Sequence, residues 1–271
     1  MASSANPIRI IGQAVIGAMS YAGSLAMLLA AAARWLGAGL FVPGVRLGGA
    51  ALAAQMVRVG IKSLGIVLLV HFFMGVVLAL QLTPPLQEPY HQEAQIANIV
   101  AIAGFRMLAP IFTAIVLSGF AGASIAAELG TMVVTEEIEA MRAIALNPLR
   151  YLVMPRVVAT AVMTVLLTVL ADLTIVFGTW ATARAVLSPR VYVGFWDRVQ
   201  EGLKTRDFIS GLVMALVFGV LISLIACREG LKVKGGAEGV GQATTMTVVY
   251  SIVAIISAAM VFTAVFYAVK V

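Results

Sequence analysis

The residues of this sequence that could form a catalytic, nucleotide or metal site are a glycine-rich segment, two histidines and one cysteine. The segment Arg228–Thr245 contains five glycines, a composition that would suit a phosphate-binding loop. It lacks the Gly-Lys-Ser/Thr sequence of such a loop, and no strand pattern precedes it. His71 and His91 lie 20 positions apart, and Cys227 is distant from both in the chain. We therefore expect a non-catalytic chain with no metal site and no cofactor of its own.

A cluster of acidic residues within positions 135–148 predicts a short helix outside the apolar regions. A threonine begins the segment, acids occupy its first turn and an Asn-Pro pair ends it, which indicates about three helical turns. The residues concerned are Thr135, Glu136, Glu137, Glu139, Asn147 and Pro148. Ile138, Met141 and Ala145 share one side of this helix. A helix so short needs a surface to pack against. Because anionic headgroups would repel the glutamates, docking into a soluble partner is favoured over lying on the membrane.

Two charged residues, Asp172 and Arg106, lie within or beside long apolar stretches. An ionised carboxylate at the centre of a bilayer costs at least about 2.5 kcal/mol, so Asp172 needs a reason for its position. It either lines a functional cavity or forms a hydrogen bond with Thr168, Thr174 or a neighbouring helix. Arg106 either extends its guanidinium to the membrane surface or pairs with an acidic residue.

Small residues recur every four positions at Ser118, Gly122, Ala126 and Gly130. This spacing places them on one side of a helix, which another helix can therefore approach closely. The stripe favours tight packing within one helical bundle, and a subunit interface or a moving contact is the alternative.

The elements that position these residues must lie in lipid. Of the 271 residues, 62% are hydrophobic and 11% are charged, against about 45–50% and about 25% in a typical soluble domain. Five apolar stretches are long enough to cross a hydrocarbon layer of about 30 Å as helices. They are Leu64–Leu82, Met107–Ala127, Val157–Trp180, Phe208–Cys227 and Met246–Val269. Since lipid tolerates no unpaired backbone groups and no stretch alternates like a barrel strand, we predict an all-α integral membrane protein.

The N-terminal stretch Ile8–Leu36 is apolar but carries a weak polar stripe at helical spacing. We interpret it as a helix that lies along the membrane interface, with a sixth span as the alternative. The stretch Phe41–Gly49 contains Pro43 and three glycines, so it should break the helix before an elbow that leads into the first span. Residues 1–63 would thus form an N-terminal helix and elbow, and residues 64–271 the transmembrane domain.

The basic residues around the first span indicate the orientation of the chain. Five cations and no acid precede that span, whereas Thr83–Gln95 has two acids and no cation, so the N-terminus should be cytoplasmic. The segment Arg184–Arg206 then falls outside, where one amphipathic helix is expected. Its apolar face would carry Tyr192, Phe195, Trp196, Val199 and Leu203. Because the basic residues flank apolar stretches, the net charge of +6 does not indicate a nucleic-acid partner.

Five motifs follow one another between Gly104 and the C-terminus. They are Ser118–Met132, Thr135–Met141, Asn147–Arg156, Leu166–Asp172 and Gly235–Val249. In this order and spacing they resemble the MlaE/YrbE family of ABC-transporter permeases, the membrane subunits of lipid transporters that work with MCE proteins. The resemblance covers well over half of the chain. The N-terminal part fits too, because that family begins with an interfacial helix.

The resemblance implies that the acidic helix is the coupling helix, which sits in a separate ABC ATPase subunit. The contact residues would then be Glu136, Glu137, Ile138, Glu139 and Met141. It also implies two ATPase subunits that bind ATP and Mg, a second permease copy or paralogue and a periplasmic MCE hexamer, and it allows for a small STAS-domain protein. The permease would move phospholipid or another hydrophobic molecule between the bacterial inner membrane and the MCE protein.

Three positions depart from the pattern of many relatives. Met107 stands where they have a glutamate, Phe120 where they have an arginine, and Ala259 where they have an aspartate. These losses suggest a rearranged polar network, so the lipid, the direction of transport or the partner can differ from those of the relatives. Two other classes of function stay open. An ATP-independent secondary transporter or channel would need intramembrane charge pairs or inverted repeats, and a membrane scaffold would transport nothing.

Overall fold

The computed structural model describes residues 7–41, 49–87 and 92–269. Within these ranges the chain is helical nearly throughout and contains no strand. Six helical segments are long and apolar enough to cross a membrane: Val15–Gly39, Gly49–Gln87, Glu93–Val134, Leu149–Val186, Thr205–Leu231 and Gly236–Val269. The protein is therefore an all-α, multi-pass membrane protein. Each of the five spans predicted from the sequence lies inside one of these segments, so their helical character is confirmed.

The helices have the following bounds. They are α1 Pro7–Phe41, α2 Gly49–Met56, α3 Lys62–Gln87, α4 Ile96–Ala103, α5 Ala109–Leu117, α6 Ala123–Val134, α7 Glu137–Ala143, α8 Met154–Val186, α9 Pro189–Tyr192, α10 Phe195–Gly202, α11 Thr205–Leu231 and α12 Gly236–Val269. π-helical turns join or precede some of them at Val57–Ile61, Gly104–Leu108, Ser118–Gly122 and Leu149–Val153. A 3₁₀ turn at Glu93–Gln95 precedes α4.

Helices α8 and α11 form the centre of the bundle. Helix α3 packs along α8, and α6 packs against both α11 and α12. The last helix buries one residue per turn against the bundle, and these residues are Ala243, Thr247, Ser251, Ile255 and Ala259. Because the stripe has a spacing of four residues, α12 lies at the periphery and presents its other sides outward.

Helix α1 is one continuous helix of 35 residues. Ala32 is buried among residues near the ends of α6, α8 and α11, including Leu129, Val153 and Cys227. These contacts lie at the end of the bundle that carries α7. They support a helix that lies across this end, although α1 is also long and apolar enough to span. The interfacial orientation stays a prediction.

The predicted break at Phe41–Gly49 falls largely on residues 42–48, which lie outside the described residues. The proposed boundary between residues 63 and 64 falls inside the continuous helical segment Gly49–Gln87. The division into an N-terminal part and a transmembrane domain therefore stays a prediction.

The segment between α8 and α11 forms two short helices, so the expectation of a single amphipathic helix was wrong. The break occurs at Gly194, whose φ of +67° is left-handed and incompatible with a continuing helix. Tyr192 consequently belongs to α9 and the other predicted residues to α10 or its end. Phe195 and Val199 are buried among residues of α4 and α8, whereas Trp196 is 45% exposed and lies beside Trp180.

Candidate functional site

The acidic helix α7 comprises Glu137–Ala143, about two turns, and is shorter than the sequence suggests. Thr135 does not cap it, because this residue is the C-cap of α6, directly after Val134. Its hydroxyl donates to the Thr131 carbonyl (3.0 Å) and to Glu137 Oε1 (3.0 Å). Glu136 precedes α7 with a left-handed φ of 60°. Helices α6 and α7 are thus joined by only two residues.

The C-terminal end of α7 is formed by Ala145, not by the predicted Asn147-Pro148 pair. Ala145 has a φ of 59°, which is uncommon for a residue with a side chain. The two closing bonds are Ala145 N to Arg142 O (3.0 Å) and Leu146 N to Met141 O (2.9 Å). This pattern is a Schellman motif. Asn147 instead accepts a hydrogen bond from the Leu149 amide through Oδ1 (3.0 Å), which supports the start of the next helical segment.

The side chains around α7 divide into an anchor and an exposed acidic surface. Ile138 is only 4% exposed and packs into its own chain, and Met141 is half-buried. Ala145 is exposed, although the helical pattern placed it on the apolar side. The exposed acidic residues are Glu136, Glu137 and Glu139, and Arg142 and Ile144 are exposed beside them. Sequence reasoning did not single out Ile144, which is 69% exposed.

A cavity of about 570 Å³ lies between α7 and the end of the bundle. Its apolar lining includes Val133, Ile138, Leu146, Leu149 and Leu231. Glu139 and Arg142 add charge to the lining. Helix α7 therefore rests on the bundle through Ile138 with open space beside it.

The small-residue stripe packs against other helices of the same chain. The four residues Ser118, Gly122, Ala126 and Gly130 are all buried. A Cβ on Gly122 would lie 3.2 Å from Ile222 Cγ2, and one on Gly130 would lie 2.8 Å from Val233 Cγ2. Larger residues would not fit without adjustment, so the π-helical turn before α6 is in close contact with α11, and α6 is in close contact with the turn that follows α11.

Asp172 is 1% exposed within α8. Its Oδ1 has no hydrogen-bond partner among the described residues. Thr168 and Thr174, the partners considered from the sequence, donate back along their own helix to the carbonyls of Thr164 (2.8 Å) and Leu170 (2.6 Å). A hydrogen bond from either threonine therefore does not explain the buried carboxylate.

Arg106 pairs with an acidic residue that sequence reasoning missed. Its Nη1 lies 3.6 Å from Oδ1 of Asp207, in the first turn of α11, and its guanidinium lies 5.4 Å from the ring centroid of Phe266. Asp207 also accepts a hydrogen bond from the Lys204 amide (3.3 Å). Asp207 directly precedes the predicted span Phe208–Cys227, and an acidic residue at the start of a helix was the available signal.

A second group of charged residues lies closer to α7. Glu128 of α6 contacts both Arg58 and Arg156. Glu128 is the single acid between Glu93 and Glu136, a position that could have attracted notice in the sequence. Its two partners lie in other helices, 70 and 28 positions away, so the pairing itself has no local signal.

The three positions that depart from the resemblance have different surroundings. Met107 and Phe120 are each 39% exposed, whereas Ala259 is 3% exposed. Ala259 belongs to the same buried cluster as Ala121 and Phe218. An aspartate at position 259 would therefore be buried in this bundle, where the chain has an apolar cluster instead.

Comparison with known proteins supports the resemblance. Residues 52–265 match the protein family described as Permease MlaE. The chain belongs to the MlaE permease family. This MlaE permease is 37% identical over 202 residues to a probable ABC transporter permease protein of Rickettsia typhi, covering 74% of this chain and 77% of the relative. It is 37% identical over 205 residues to the probable ABC transporter permease protein slr1045 of Synechocystis, covering 74% and 76%.

A third relative of this MlaE permease comes from a plant. The chloroplastic protein TRIGALACTOSYLDIACYLGLYCEROL 1 of Arabidopsis thaliana is 35% identical over 218 residues, which cover 79% of this chain. The matched region spans 60% of the length of the Arabidopsis protein.

Proposed function

We propose that this MlaE permease is the membrane subunit of an ABC transporter that moves phospholipid or another hydrophobic molecule between the inner membrane and a periplasmic MCE protein. A separate ATPase drives the transport. The observation that carries the proposal is the exposed acidic surface of α7, which the buried Ile138 anchors to the bundle. Such a surface suits a soluble partner with a complementary basic groove.

In this proposal the chain transmits movement and breaks no bond. When the ATPase closes on ATP, it displaces α7, and the two-residue link carries the displacement to α6. Gly130 of α6 and Gly122 of the preceding π-helical turn are in close contact with the turn after α11 and with α11 itself, so these elements move together. The movement reshapes a lipid-lined cavity at the axis of a permease dimer. ATP and Mg bind to the ATPase.

The name of the Arabidopsis relative supports lipid as the transported class, because trigalactosyldiacylglycerol is a glycerolipid. The proposed assembly contains two ATPase subunits, a second permease copy or paralogue and an MCE hexamer, and a small STAS-domain protein is a further candidate. The proposed orientation places the N-terminus and α7 in the cytoplasm and α10 in the periplasm.

Lysine substitution of Glu136 and Glu137 tests the docking surface. Because the substitutions reverse the charge of an exposed surface, the double variant should capture at least about tenfold less ATPase in a pull-down from detergent. ATP-driven transfer of a fluorescent phosphatidylethanolamine should fall in parallel. The control for ATPase capture is Asp197→Lys with Glu201→Lys, since both acids are exposed on α10 at the opposite end. Unchanged capture and transfer in the first variant would contradict this role for α7.

A further inference from the structure

Glu128 connects three helical segments at the end of the bundle nearest α7. Its carboxylate oxygens accept from different arginines, Oε2 from Arg58 Nη1 (2.5 Å) and Oε1 from Arg156 Nη2 (2.9 Å). Arg58 lies in the π-helical turn between α2 and α3, and Arg156 lies in the first turn of α8. We propose that Glu128 is the positioning residue that transmits a displacement of α7 to the first and third spans together. This inference rests on the proposed function.

The link to the third span depends on the burial of Arg156. Its side chain is 4% exposed, its Nη1 donates to the Leu152 carbonyl (2.7 Å), and its Nε is buried without a hydrogen-bond partner among the described residues. A buried charge that loses its counter-ion is strongly destabilised. Arg156 therefore follows Glu128 when α6 moves, and the start of α8 moves with it.

The link to the first span acts at a local irregularity of the helix. Arg58 belongs to Val57–Ile61, a π-helical turn, and such turns are sites where a helix can bend. The bond from Arg58 to Glu128 joins two opposite charges and is short, as charge-assisted bonds are. Movement of Glu128 therefore acts on the junction between α2 and α3.

Glu128 is also directly connected to α7. It lies six residues before Val134, the end of α6, which corresponds to about 9 Å along a helix. Thr135 and Glu136 alone separate α6 from α7. Arg58 and Glu128 line a cavity of about 580 Å³ that Glu137 of α7 lines as well. A displacement of α7 thus reaches Glu128 without crossing a long loop.

The pair Arg106–Asp207 provides a matched control. It connects the π-helical turn Gly104–Leu108 with the first turn of α11, at the end of the bundle opposite α7. Like the Glu128 contacts, it joins two helical segments through a carboxylate and a guanidinium. It does not involve α6, so its loss should weaken the bundle without interrupting the path from α7.

The experiment measures lipid moved per ATP hydrolysed in proteoliposomes that contain the permease and its ABC ATPase, with fluorescent phosphatidylethanolamine as the probe. Glu128→Gln keeps the side-chain length and removes the charge. We expect it to capture the ATPase to within about twofold of the wild type, because α7 is unaltered. The lipid moved per ATP should fall at least about fivefold, which is the smallest effect usual for energetic coupling between two sites. Asp207→Asn should keep the wild-type ratio.

Two further variants separate transmission from folding. Glu128→Asp retains the charge and should recover more of the ratio than Glu128→Gln. Arg58→Gln changes a partly exposed side chain and should also lower the ratio. In the double variant Arg58→Gln/Glu128→Gln, the fall should be smaller than the sum of the two single effects, because the two residues act through one contact. A wild-type ratio in Glu128→Gln and Arg58→Gln, or an equal fall in Asp207→Asn, would overturn the inference. A wild-type complex without ATP-dependent lipid movement would instead refute the proposed function.

Discussion

The guanidinium carbon of Arg228 lies 3.7 Å from the centroid of the Tyr21 ring, so the middle of α1 contacts the last turn of α11. Arg228 Nε also donates to Ser24 Oγ (2.7 Å). Trp35, 14 positions after Tyr21, lies 5.2 Å from the guanidinium of Arg150, just before α8. These 14 residues extend about 21 Å along a helix. Both contacts are at the α7 end of the bundle, as expected if α1 lies across it.

This arrangement predicts that distant residues of α1 lie at similar depths in the bilayer. Spin labels on Val15→Cys and Leu29→Cys, in a Cys227→Ala background, should give nearly equal depths by accessibility to lipid-soluble and water-soluble relaxants. The control pair Val249→Cys and Val265→Cys on α12 should differ by about 24 Å, because α12 spans. All four side chains are exposed. A comparable difference within α1 would show that α1 spans the membrane.

The crossing of α3 and α8 predicts a steric effect on stability. A Cβ on Gly178 would lie 2.4 Å from the Phe72 carbonyl oxygen, so the backbones would have to separate. Gly178→Ala should lower the free energy of unfolding by about 1–3 kcal/mol, measured by thermal unfolding in detergent. Gly65→Ala on α3 meets nothing within 4 Å and should leave stability unchanged or raise it by about 0.5–1 kcal/mol. Equal effects of the two substitutions would contradict this packing.

The left-handed Ala145 predicts opposite effects for glycine at two positions that lie five residues apart. Ala145→Gly relieves an unfavourable φ and should slow hydrogen exchange of the Leu146 amide, with a gain of up to about 1 kcal/mol. Ala140→Gly lies within α7, where glycine costs about 1 kcal/mol, and should speed the same exchange. Faster exchange in Ala145→Gly would show that the chain does not form this turn.

The buried Asp172 predicts a separation of stability from transport. Asp172→Asn removes a carboxylate whose Oδ1 has no partner among the described residues, so the melting temperature in detergent should rise. Glu201→Gln on the exposed side of α10 should leave it unchanged. Lipid transfer by Asp172→Asn then decides between the two roles considered from the sequence. Full transfer would show that the carboxylate has no role in transport. A lower melting temperature would show that the Asp172 carboxylate stabilises the bundle, against the absence of a partner for its Oδ1 among the described residues.

Much of the fold could be predicted from the sequence because lipid leaves few alternatives. A run of apolar residues long enough to cross the bilayer must be helical, so Phe208–Cys227 and the four other spans were found from hydropathy alone. The break at Gly194 was missed because apolar residues on both sides of it fit one helical face. The glycine itself was the local signal, since its φ of +67° stops the helix.

The candidate site could be located from the sequence but not its detailed contacts. The acidic residues and Ile138 indicate the position of α7. The left-handed positions at its two ends are occupied by Glu136 and Ala145 and not by glycine, so the sequence does not mark where the helix begins and ends. The bonds from Glu128 to arginines in other helices depend on tertiary packing. A single sequence contains no local pattern that specifies such pairs.

ATP-dependent lipid transfer by the reconstituted permease, with and without its ABC ATPase, tests whether a separate ATPase drives this permease. Proteoliposomes loaded with fluorescent phosphatidylethanolamine are mixed with an MCE acceptor protein, and the transferred lipid is measured over time. We expect transfer that requires both ATP and the ATPase. Transfer that continues undiminished when the ATPase is omitted would contradict it.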